Sequence, residues 1–106
     1  MRQILRLWVK YCEKIKKILK EEKEVLSGLG VDQVGIFGSF IRGEDKPDSD
    51  IDVLLDISPD STVTLFTLVD IEMRLSEKLN RKVDVVIKSD LKPNIGKHIL
   101  AEVVYV

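Results

Sequence analysis

Cysteine and histidine are nearly missing from this chain of 106 residues, which has one of each, Cys12 and His98. One cysteine cannot form an intrachain disulfide, and a zinc site built on several thiolates is excluded. Cys12 falls on an apolar helical stripe and reads as a small core or interface residue. His98, alone in an amphipathic segment, reads as a structural or surface residue. Proline is limited to Pro47, Pro59 and Pro93, each at a point where the chain turns or a helix begins. No apolar run approaches the roughly 18–20 residues needed to span a bilayer. No charged, apolar and small-residue leader is present either, so a cytoplasmic protein is expected.

Net charge is also nearly absent, at −1, but its distribution is uneven. Residues 1–24 hold eight Lys and Arg against four Glu, and residues 44–60 hold seven Asp and Glu against Lys46 alone. In the basic stretch the charges alternate in sign at helical spacing, as on a solvated face, so direct nucleic-acid binding is not expected. A hydrophobic content of 44% with 33% charged residues is that of a folded globular chain, and its length suits one domain with one core.

The spacing of Ile4, Trp8, Cys12, Ile15, Leu19 and Leu26, with Tyr11, Ile18 and Val25 beside them, predicts a long amphipathic helix ended by Ser27, Gly28 and Gly30. Its first part, up to about residue 14, reads as a possible extension to the domain. A strand is predicted over 33–37, a polar loop with Pro47 over 43–49 and a second strand over 50–57. A helix over 62–79 should bury Leu65, Leu68, Ile71, Leu75 and Leu79, and a third strand is expected over 82–87. A last helix starts near Pro93, and the apolar residues 103–106 either finish it or form a short strand. The order α-β-(short α)-β-α-β-α makes this an α/β or α+β domain, a small sheet covered by helices.

The chemistry is concentrated in Gly38-Ser39-Phe40-Ile41-Arg42-Gly43, followed after five residues by Ser49-Asp50-Ile51-Asp52. Residues i and i+2 of a strand share a face, so Asp50 and Asp52 project side by side, an arrangement that suits a divalent cation. The Gly-Ser turn offers backbone N–H groups and a hydroxyl to a phosphate. Asp84 interrupts the apolar run Val83-Asp84-Val85-Val86-Ile87, where a carboxylate calls for a metal, a basic partner or an edge position. Arg42 has two readings: a bidentate donor to phosphates, or a partner for a carboxylate such as Asp50. Gly43 should permit the turn after a short helix, and Ser49 should cap or orient the strand of Asp50.

The pattern Gly-Ser-x-x-Arg-Gly-x5-Ser-Asp-x-Asp resembles the nucleotidyltransferase superfamily that includes DNA polymerase β, and the short length resembles its minimal-nucleotidyltransferase (MNT) antitoxin branch. The resemblance covers nearly the whole chain, from about Ile15 to Val106. It implies a nucleotidyltransferase palm with a mixed sheet, Asp50, Asp52 and Asp84 as catalytic ligands of two Mg²⁺ ions, and Gly38, Ser39, Arg42 and Ser49 around the nucleotide. It further implies transfer of AMP from ATP to a tyrosine of a HEPN-domain toxin, a helical ribonuclease. The chain has no helical acceptor domain of its own, so the acceptor must come from another polypeptide. Residues 2–11 and 103–106 are the expected apolar surfaces for it. Two other activities stay open: neutralising binding of a toxin with little transfer, and small-molecule nucleotidyl transfer with a separate helical subunit.

Overall fold

The computed structural model describes residues 2–43 and 50–106, with side chains from residue 10 onward. A continuous helix, α1 (Arg2–Gly28), leads into strand β1 (Val31–Phe37) and a single helical turn, α2 (Ser39–Arg42). Strand β2 (Ile51–Ile57), helix α3 (Leu65–Leu79) and strand β3 (Val83–Ile87) follow as a βαβ unit. A 3₁₀ turn over Lys88–Asp90, helix α4 (Pro93–Glu102) and the two-residue strand β4 (Val104–Tyr105) complete the chain.

The strands form one mixed sheet in the order β3-β2-β1-β4. β1 runs antiparallel to both β2 and β4, and β2 runs parallel to β3. Parallel neighbours need a crossover, which α3 supplies. α1 and α3 pack against each other and against the sheet. Between them and the sheet lies the core: Ile15, Leu19 and Leu26 from α1, Ile71, Leu75 and Leu79 from α3, and Val34, Ile36, Ile51, Val53, Leu55 and Val83 from the strands. Cys12 packs against this core and His98 is exposed on α4.

A pair of ion contacts fastens the two helices. Glu22, buried on α1, accepts a hydrogen bond from Arg74 Nε on α3, and Lys78 Nζ lies 4.0 Å from its other oxygen. A carboxylate this far out of water needs such cations beside it.

Three expectations gain definition. The first is the start of α3. Thr64, in extended conformation, caps the helix in a reciprocal box with Thr67, so the helix begins three residues later than the periodicity suggests. Leu65 therefore falls in the first turn, beyond the reach of the core, and is 74% exposed rather than buried. Val25, likewise, is exposed beside the buried stripe of α1. The second is the tail: of the two readings for residues 103–106 the structure has the short strand, and Val104 and Tyr105 in it remain exposed. β4 pairs with β1, Val106 N–H donates to Val34 O at 2.9 Å, and Val106 packs on the core. The third is residues 2–11, whose backbone continues α1 without a break. The largest exposed apolar stripe among the described residues lies on α3: Leu65, Phe66, Val69 and Met73.

Candidate active site

Alternation along β2 decides where the carboxylates go. Ile51, Val53 and Leu55 turn toward α1 and α3, so Asp52 must turn to the opposite face of the sheet, which the two long helices leave open. β3 alternates in the same sense, with Val83 and Val85 against the core and Asp84 between them. The parallel register makes Asp52 and Asp84 direct partners across the two strands. β3 is an outer strand of the sheet and Asp84 is exposed. Asp50 lies just before β2, half-buried, with Lys82 Nζ 3.9 Å from its Oδ2.

Asp52 carries the electrostatic signature of the site. Its pKa is raised above the usual aspartate range, first by burial and then by the negative charges of Asp84, Asp50 and Glu102, while Arg42 acts in the opposite direction. Mutual repulsion among hard oxygen donors is the chemistry that a divalent cation relieves. Among the described residues no three or more His, Cys, Asp or Glu side chains are gathered closely enough to hold an ion as they stand. What joins Asp50, Asp52 and Asp84 is charge: the carboxylates of Asp84 and Asp50 both act on Asp52.

Strand β1 delivers the Gly-Ser turn to the same end of the sheet, because Phe37, its last residue, is the register partner of Asp52. Gly38 has φ +80, a backbone conformation that a side chain rarely adopts. A Cβ at Gly38 would also run into the Asp52 carboxylate. Glycine is expected here so that a phosphate can approach; the structure adds that Asp52 itself fills that space. The Gly38 carbonyl accepts the N–H groups of Ile41 and Arg42, both at 3.1 Å, which closes the helical turn beginning at Ser39. Gly43 ends it in the left-handed region with φ +76, as the sequence suggests. Ser49 lies outside the described residues.

Arg42 takes a carboxylate, as one of its two readings has it, but the partner comes from α4 and not from Asp50. Its Nη1 lies 3.1 Å from both Oε1 and Oε2 of Glu102. Glu102 Oε1 also accepts the Gly38 N–H at 2.9 Å. Sequence reasoning missed Glu102. A signal was present: it is the sole acidic residue between residues 91 and 106, set among Ile99, Leu100, Val103 and Val104. The rule that singles out Asp84, a carboxylate interrupting an apolar run, applies to it equally.

Comparison with known proteins agrees with this arrangement. A family model described as nucleotidyltransferase domain matches residues 12–106. The protein adenylyltransferase MntA of Thermococcus cleftensis is 43% identical over 95 residues, 89% of this chain and 94% of that protein. A solved structure of a candidate minimal nucleotidyltransferase superposes with a TM-score of 0.68 at 29% identity, covering 85% of this chain and 93% of the other. The antitoxin in a complex of tri-AMPylated Shewanella oneidensis HEPN toxin with MNT antitoxin shares the fold, with a TM-score of 0.63 at 16% identity over 90% of this chain and 70% of that one. With a family match over most of its length and the Gly-Ser turn set against paired aspartates, the chain belongs to the nucleotidyltransferase domain family.

Proposed function

We propose that the protein is an Mg²⁺-dependent adenylyltransferase that moves AMP from ATP to a tyrosine of a HEPN-domain toxin and silences it, acting as its antitoxin. The observation that carries this reading is the register pairing of Asp52 with Asp84, beside the Gly38-Ser39 turn. Transfer of a nucleotidyl group needs carboxylates where the α-phosphate reacts and N–H donors where the pyrophosphate leaves, and these lie at one end of one sheet. The identity of 43% to a protein adenylyltransferase over 89% of the chain supports AMP as the group moved and a protein as acceptor. The AMPylated toxin in the structurally similar complex supports a HEPN partner.

Within this reading Asp50, Asp52 and Asp84 hold the Mg²⁺, which when bound neutralises the triphosphate and the developing charge on the transferred phosphoryl group. Gly38, Ser39 and Arg42 bind the phosphate tail, and Ser49, the sequence neighbour of Asp50, adds a hydroxyl to the nucleotide-binding set. Asp84 is exposed on the outer strand, which leaves it accessible to an acceptor hydroxyl. The tyrosine oxygen bonds to the α-phosphorus as the bond to pyrophosphate breaks, and the phenol proton passes to a neighbouring carboxylate or to water. The partner presents the hydroxyl to the site.

The test is incubation with a HEPN toxin, ATP and Mg²⁺, followed by separation of the two proteins and intact mass measurement. The toxin should gain one adenylate residue or a whole multiple of it, located on tyrosine, and should stay inactive alone. Inhibition that disappears on separation, with the toxin's mass unchanged, would leave a neutralising binder in place of an enzyme.

A further inference from the structure

Glu102 stands where the phosphate tail of the preceding reading has to bind. Its Oε1 takes the Gly38 N–H at 2.9 Å, and both its oxygens lie 3.1 Å from Arg42 Nη1. An N–H that already donates to a carboxylate cannot also donate well to a phosphate oxygen, and a guanidinium engaged with one oxyanion has fewer donors for another. We propose that Glu102 is an internal competitor of the triphosphate, a carboxylate that holds the Gly38 N–H and Arg42 and must leave them when MgATP binds.

The placement of Glu102 fits that role. It is the last residue of α4, two positions before the strand that pairs with β1, so its backbone is anchored at the sheet edge. The pair is not sealed in: the side chain of Arg42 is 46% exposed and that of Glu102 is 26% exposed, which leaves the carboxylate a route to water. Exposed ion pairs are weak, on the order of 1 kcal/mol or less, so the contact can yield to a ligand. A brace used only to orient Arg42 would not need the Gly38 amide as well. Glu102 also adds a negative charge to a site already crowded with Asp50, Asp52 and Asp84, and contributes to the raised pKa of Asp52. That arrangement penalises a bare polyanion most, and favours a triphosphate that arrives with its cation.

This inference rests on the nucleotide reading, and the experiment separates the two. MgATP is titrated by calorimetry into the wild-type protein and into Glu102→Gln, which keeps the shape and removes the charge. Affinity should rise by about tenfold in the variant, the order that competition for charge-assisted hydrogen bonds to a guanidinium and an amide supplies. In the wild-type protein the Gly38 amide and the Glu102 carboxyl carbon should both shift in NMR spectra as MgATP is added, a readout independent of any variant. Equal or weaker binding by Glu102→Gln, with the Glu102 carboxyl resonance unmoved in the wild type, would overturn the competitor and make Glu102 a brace for Arg42. Absence of MgATP binding to either protein would overturn the nucleotide reading itself.

Discussion

Gly38 and Asp52 occupy each other's space: a Cβ on the glycine of the turn would run into the carboxylate on the neighbouring strand. The turn and the acidic strand are therefore one device, built from two segments that are separate in sequence. Gly38→Ala tests this relationship. The positive φ at Gly38 and the displaced carboxylate should together cost about 1–3 kcal/mol of stability, read by urea denaturation. MgATP affinity should fall in the same variant as Asp52 is pushed aside. A variant of unchanged stability and affinity would show that the turn can move away from Asp52.

The raised pKa of Asp52 predicts a pH dependence with a definite sign. The folded state holds this proton more tightly than the unfolded chain, so protonated Asp52 costs nothing and ionised Asp52 destabilises the metal-free fold. Stability should therefore be lost as pH rises from about 4, the ordinary aspartate value, through the raised folded-state value. Asp52→Asn cannot ionise. In EDTA its melting temperature should exceed that of the wild type near neutral pH, and the gap should close toward pH 4. A gap that widens on acidification would contradict burial and repulsion at Asp52.

Much of this architecture was legible in the sequence because it follows from period and spacing. The apolar alternation of Ile51, Val53 and Leu55 places Asp52 on the face away from the helices, and the isolated Asp84 points to the neighbouring strand. The Gly-Ser turn, the short helical turn and the left-handed Gly43 follow from local chemistry. What stayed hidden depends on contacts between distant segments. Glu102 lies 60 residues from Arg42 in sequence, and no local pattern reports that the end of α4 meets the turn after β1. Strand β4 is two residues long, and only its pairing with β1 distinguishes it from a frayed helix end. The start of α3 was misplaced because periodicity finds an apolar face, whereas the Thr64 and Thr67 hydrogen bonds fix where the helix begins.

Metal dependence of binding separates a phosphate site from a merely acidic surface. Asp50, Asp84 and Glu102 each act on Asp52 with a negative charge, and Arg42 offsets them in part. Metal-free ATP should be repelled by this field, and its affinity in EDTA should be at least about tenfold below that in Mg²⁺. Equal affinity under the two conditions would remove the carboxylates from the binding site.

Asp84→Asn distinguishes chemistry from structure most directly. Asp84 is exposed on an outer strand, so the substitution removes a charge without opening a cavity or leaving a buried group unpaired. Metal-free stability should hold or rise slightly, because the carboxylate opposite Asp52 disappears. Transfer of AMP to a partner should nevertheless fall by orders of magnitude, since one of the oxygen donors beside the reacting phosphate is lost. MgATP should still bind, because Gly38, Ser39, Arg42, Asp50 and Asp52 remain. Single-turnover kinetics at saturating MgATP, with melting temperature measured on the same sample, therefore give a split outcome: a large loss in rate with little loss in stability. Transfer at the wild-type rate would remove Asp84 from the catalytic set. A variant that unfolds would instead make Asp84 a residue of the sheet edge.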